Sequence, residues 1–165
     1  MNHPLAEMLR YNRWATLRLL DACRSLPEEA LDYRLPAASG SVRELLPHLI
    51  GSQQTFALRS EGRQAEGELT RSTPWPGFDA LAEAATTSAD ALVAIAEALD
   101  ADSEVTLPFM GRGHRYPKSF FLVHAVEHGG EHRTEVKLTL AHFGIAMPDL
   151  DGWQYAAAAG YGGEG

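Results

Sequence analysis

Three histidines stand at strict four-residue intervals in His124-Ala-Val-Glu127-His128-Gly-Gly-Glu131-His132-Arg133. On an α-helix a spacing of four puts side chains on nearly the same face, one turn apart. Two imidazoles stacked in this way can grip a single metal ion. All three cannot, because the rise from His124 to His132 is about 12 Å at roughly 1.5 Å per residue, while metal–nitrogen bonds are about 2 Å. The helix therefore offers one adjacent pair, and a third ligand has to come from another part of the fold.

His128 and His132 enclose Gly129 and Gly130, two poor helix formers that each cost up to about 1 kcal/mol relative to Ala. A glycine pair between two histidines is an odd choice for a plain surface helix, and it suits a place that another backbone or a ligand approaches closely. His48 is the candidate for the outside ligand. It lies beside Leu49 and one turn from Leu45, so it is expected to point inward, where a neutral imidazole needs a partner. Residues 128–132 also spell His-Gly-Gly-Glu-His, the pattern of inverzincin peptidases, with Glu131 as general base. Those enzymes take an acidic ligand far downstream, and the short remainder of this chain speaks against them. His142 is expected to be a hydrogen-bonded core residue, and His3 and His114 to be solvated. For a second catalytic group, Glu127, Glu131 and Arg133 flank the ligands but should point sideways or out. Tyr11 and Trp14 could line a pocket or fill core. No Ser-His-Asp set and no phosphate-cradling glycine loop appears.

The composition narrows the partners. The 165 residues suffice for one domain with a sizeable core, read here as a single domain over 1–165 without internal repeats. With 14 Lys+Arg against 22 Asp+Glu the formal charge is −8, and no basic run overrides it, which disfavours nucleic acid. Cys23 is the single cysteine, so an intrachain disulfide and Cys-rich zinc modules are excluded. No apolar run approaches membrane-spanning length, and the first residues do not resemble a secretory leader. The expectation is a cytoplasmic protein acting on a small molecule, without nucleic acid or membrane.

Four helical segments must position the histidines. The first runs from about Leu5 to Leu26, with Leu5, Met8, Leu9, Ala15, Leu19 and Ala22 at helical intervals and Pro27 at its end. The second opens on the capping box Ser41-Val-Arg-Glu44 and carries Leu45, Leu46, His48, Leu49 and Phe56, with Pro47 expected to bend it just before His48. The third spans about Asp79 to Leu99. Residues 101–116 predict a short extended, hairpin-like connection. The fourth begins near Pro117, contains the histidines and stops at Gly144. Residues 156–165, rich in Ala and Gly, are expected to form a loosely ordered tail. The pattern is that of an all-α helical bundle.

Several segments together resemble the DinB/YfiT-like superfamily of metalloenzymes. Tyr11-Asn-Arg-Trp14-Ala resembles its Asn-x-Trp-Ala signature, Ser41-Val-Arg-Glu-Leu-Leu-Pro-His48-Leu its second helix, and His124 to Arg133 with Leu140 and Gly144 its last bundle helix. Pro148-Asp-Leu-Asp-Gly-Trp153-Gln-Tyr155 is similar to its usual ending. The resemblance implies an up-down-down-up four-helix bundle, dimeric, with a divalent metal held by His48, His128 and His132. It leaves His124 as a structural neighbour. Nickel and zinc are the metals it favours, with iron, manganese and cobalt open, since imidazole ligation selects weakly among them. Pro47 and Glu131 depart from the family pattern, and the first is expected to shift His48 slightly. Characterised members are thiol-dependent S-transferases and a maleylpyruvate isomerase, so the implied activity is activation of a low-molecular-weight thiol for transfer to an electrophile. A metal-dependent hydrolase and a non-catalytic metal- or ligand-binding stress protein are the alternatives.

Overall fold

Pro4 opens the first helix, where its fixed φ and missing N–H cost nothing, and α1 (Pro4–Cys23) follows. In the computed structural model, which describes residues 3–100 and 103–162, this helix is joined by a short α2 (Glu28–Asp32) to α3 (Val42–Ser60) and then α4 (Phe78–Glu97). A two-stranded antiparallel sheet of β1 (Glu104–Phe109) and β2 (Arg112–Pro117) precedes α5 (Lys118–His142), and α6 (Gly152–Ala158) ends the order. The architecture is mostly helical with one small hairpin, as the sequence predicts. No helix among the described residues is long and apolar enough to cross a membrane.

The local signals act where they were read. The Glu44 carboxylate accepts the Ser41 N–H at 2.8 Å, the reaching-back half of a capping box. Pro47 lies within α3 without ending it. In the hairpin Glu104 pairs with Pro117 and Phe109 with Arg112. Its two turn residues, Met110 and Gly111, both have positive φ, as a two-residue turn matched to strand twist requires. At the other end of α5, Gly144 has φ +68°, and Ile145 N–H donates to Leu140 O while Gly144 N–H donates to Ala141 O, both at 3.0 Å. This pattern closes the helix end as a Schellman motif.

α1 packs chiefly against α4 and α5, and α3 packs against the same two helices. Two apolar clusters form between them. One gathers Leu19, Leu20, Leu45, Leu46, Leu49, Ile50, Leu81, Val136 and Leu140. The other gathers Leu9, Phe56, Leu92, Leu107, Phe121 and Leu122. By these memberships α1 and α5 run from the second cluster to the first, and α3 and α4 run the opposite way.

A buried polar layer lies in sequence between the residues of the two clusters, with side chains from all four long helices. Arg133 donates to Asn12 at 2.5 Å and to Thr16 at 3.1 Å. Asn12 donates to Gln53 at 3.1 Å, and Gln53 donates to Ser88 at 2.8 Å and to Ala85 O at 3.1 Å. Each buried polar group here finds a partner, which avoids the desolvation penalty of an unpaired one.

Three expectations are corrected. α1 ends at Cys23 rather than Leu26, and Met8 is 49% exposed. The Ser25 hydroxyl and the N–H groups of Ser25 and Leu26 tie the chain into turns after α1 instead. Over the start of the expected tail, α6 is capped by Asp151, which accepts Gln154 N–H at 2.8 Å, and the Tyr161 hydroxyl donates to Glu7 at 2.7 Å. Residues 163–165 of the expected tail lie outside the described residues. His142 is exposed and stacks on Tyr33 with ring centroids 4.6 Å apart, because it sits on the outward side of the last turn of α5.

Candidate metal centre

α5 presents His128 and His132 toward α3, and α3 presents His48 toward them. The ring centroids are 4.4 Å apart for His128 and His132, 5.0 Å for His48 and His128, and 4.9 Å for His48 and His132. One nitrogen from each ring lies within 4.8 Å of the other two. Metal–nitrogen bonds of about 2.0–2.1 Å in a tetrahedral site hold nitrogens about 3.4 Å apart, so closing on an ion takes side-chain shifts of about an ångström. His132 is buried, while His48 and His128 are half-buried. The donor set is therefore reachable from outside.

The electrostatics suit a cation. The His48 and His128 imidazoles are each pushed down to about 4. Burial is the main cause at both, with the Arg71 guanidinium adding to it at His48 and the neighbouring imidazoles at His128. At neutral pH both rings are uncharged and keep a lone pair to donate. The third ring is oriented by a carboxylate: His132 Nδ1 lies 2.6 Å from Glu135 Oε2. Burial acts to raise the Glu135 carboxyl, but hydrogen bonds from the Ser39 N–H, His132 and the Ser39 hydroxyl outweigh it and hold it below the usual range. An ionised Glu135 accepts a hydrogen bond from Nδ1–H, which leaves Nε2 as the nitrogen for a ligand, an arrangement common behind metal-bound histidines.

Ser39 links this carboxylate to the rest of the fold. Its N–H donates to Glu135 at 2.7 Å, and its carbonyl and hydroxyl accept from Arg71 at 3.2 and 3.1 Å. Arg71 reaches this place because the segment after α3 folds back across it. A Cβ at Gly51 would lie 1.6 Å from Leu69 O, so only glycine admits that backbone here.

The remaining sequence candidates fall elsewhere. His124 stands outside the donor cluster: its ring lies 4.5 Å from Phe56, 5.7 Å from Phe120 and 5.8 Å from His128. Glu127 and Glu131 are exposed, so Glu131 does not face the histidines as a peptidase base would. Arg133 makes no ion pair among the described residues; burial lowers it to about 10, and it anchors the polar layer. Tyr11 donates to Leu150 O at 2.6 Å, and Trp14 packs on Tyr155 at 5.7 Å. Both aromatics serve the packing of the closing segment and not the histidine cluster. The close approach inferred at the glycine pair is real at one position only. A Cβ on Gly129 would lie 2.5 Å from Asn12 Oδ1, whereas nothing comes within 4 Å of one on Gly130.

Sequence reading missed Glu135, although its i+3 spacing from His132 was a usable signal. Ser39 and Arg71 carried none, since both reach the site only through loops.

Fold and site together define a mostly helical protein with a three-histidine cluster able to hold a metal ion. The DinB family model matches residues 1–164, and the chain belongs to that family. The crystal structure of a DinB-like protein from Bacillus cereus is similar to it with a TM-score of 0.65 at 21% identity, over 90% of this chain and 99% of that one. At that identity the likeness concerns the fold alone. No curated protein matches the chain.

Proposed function

We propose that His48, His128 and His132 hold one divalent transition metal ion, nickel or zinc in the first place, and that the protein is an enzyme activating a small thiol for transfer to an electrophile. The observation that carries this reading is the convergence of three imidazole nitrogens within 4.8 Å from two helices. The uncharged rings of His48 and His128 and the carboxylate behind His132 fit a cation. Bound there, such an ion supplies Lewis acidity that lowers the pKa of a coordinated water or thiol. The half-exposed His48 and His128 favour an open site over a sealed structural one. Family membership supports the thiol, because characterised relatives are thiol-dependent.

In the same reading the four long helices constitute an up-down-down-up bundle, supported by their opposed directions between the two apolar clusters. A cytoplasmic homodimer completes it by analogy with the family.

Elemental analysis of untagged protein tests the proposal. About one transition metal per chain is expected, lost in His48→Ala and in His128→Ala. No metal after reconstitution with zinc, nickel and manganese overturns it. With metal present, a rise in melting temperature on adding a small thiol supports the transferase reading.

A further inference from the structure

A cavity of about 380 Å³ opens between the C-terminal end of α3, the hairpin and the start of α5. Phe56, Tyr116, Phe120 and Phe121 form its aromatic walls, with His124 on the side toward the histidine cluster. Tyr116 and Phe120 stack with centroids 5.9 Å apart. The volume lies within the range of about 300–1,000 Å³ typical of small-molecule sites.

Its charge is unlike that of the protein as a whole. Against a net charge of −8, this lining holds Arg59 and Arg63 and no Asp or Glu. Arg63 pairs with Glu61 at 3.4 Å. The Arg59 guanidinium has no hydrogen bond or ion pair within the described residues. Arg59 also lines a second cavity of about 380 Å³ that contains His48, so it stands where the aromatic cavity borders the donor cluster. The Phe56 ring, part of the aromatic wall, lies 5.8 Å from the ring of His128.

We propose that the aromatic cavity binds a small molecule with a flat apolar body and one carboxylate, and that Arg59 selects the carboxylate. Aromatic walls favour a ring, and a guanidinium favours a carboxylate through paired N–H donors. That the occupant is a substrate rests on the metal reading above; its binding does not require the metal.

The test uses the full chain, metal-loaded and chelator-treated, at fixed ionic strength, with 4-phenylbutyrate and the neutral 4-phenylbutan-1-ol as probes. Calorimetry is expected to show the acid binding about tenfold tighter than the alcohol. Arg59→Met should equalise the two, Arg59→Lys should keep part of the preference, and Arg18→Met, an exposed arginine on α1, should leave it intact. Phe120→Ala should weaken both probes. Equal binding of the probes by the wild type, no detectable binding of either, or an Arg59→Met variant that keeps the preference overturns the proposal. Elemental analysis of the same samples separates the two readings. A preserved preference in protein that takes up no metal on loading refutes only the metal site, and bound metal without a preference refutes only the cavity's role.

Discussion

Glu135 stands three residues after His132 on α5, and its Oε2 lies 2.6 Å from His132 Nδ1. Because Ser39 holds the same carboxylate from the loop before α3, the orientation of one imidazole depends on three separate segments: α5, the Ser39 loop and, through Arg71, the strand of chain that crosses Gly51. Outer-shell partners of this kind typically affect metal affinity by about 10–100-fold. Glu135→Gln is therefore expected to weaken metal binding by about that factor while leaving the helical circular dichroism unchanged. Competition with a chromogenic chelator measures it, and an unaltered affinity would show that the contact serves packing alone.

Metal removal should lower stability. An ion that binds only the folded cluster raises the free energy of unfolding by about 2.7 kcal/mol at a free concentration a hundred times its Kd. Scanning calorimetry of chelator-treated protein, before and after adding metal back, is expected to show Tm rising. His124→Gln should retain that rise, since its ring packs against Phe56 and lies outside the donor cluster. His132→Ala should lose it. An equal loss in both variants would mean that the wrong pair on α5 has been assigned.

Two glycines should respond in opposite ways to alanine. At Gly51 a Cβ would meet Leu69 O at 1.6 Å, and backbone must move to relieve it, a cost of about 1–3 kcal/mol. At Gly130 a Cβ meets nothing within 4 Å, so the helix propensity of alanine should stabilise the fold by about 0.5–1 kcal/mol. Urea unfolding of Gly51→Ala and Gly130→Ala reads both signs directly.

Acid sensitivity should be traceable to Glu7. Hydrogen bonds from the Tyr155 hydroxyl at 2.6 Å and the Tyr161 hydroxyl at 2.7 Å hold its carboxyl below the ordinary value of 4.5. A carboxyl whose pKa is lower in the folded state contributes stability that is fully present above its unfolded value and is lost as pH falls through the folded one. The Tm difference between wild type and Glu7→Gln is thus expected to be largest near neutrality and to narrow below about pH 4. A difference independent of pH would place the carboxylate's contribution elsewhere.

Much of the framework was legible because it rests on short-range rules. The Ser41–Glu44 pair, Pro117 before α5 and Gly144 after it mark helix ends through backbone groups within a few residues, and they act as read. The hairpin over 104–117 followed from its extended run and its Gly-containing turn. By contrast α2 and α6 are too short to show a helical period. The end of α1 was overrun because apolar residues continue to Leu26 in turns that bury them without helix. His142 was misplaced because an isolated histidine carries no signal of which side of a helix end it will face.

By itself the sequence determined the four long helices and that adjacent histidines of α5 share a face, since a four-residue spacing on one helix aligns the rings whatever surrounds them. The apolar neighbours of His48, Leu45 and Leu49, marked it as the outside candidate, and the family resemblance named the same residue. Only the tertiary structure decided how close His48 comes, that Glu135 and not Glu127 or Glu131 supports the cluster, and that Gly51 lets the following segment bring Arg71 beside it. It also decided that Asn12 crowds Gly129 while Gly130 faces open space. These are distances between residues far apart in the chain, set by how α3 packs on α5 and where the loops cross, and no local preference encodes them.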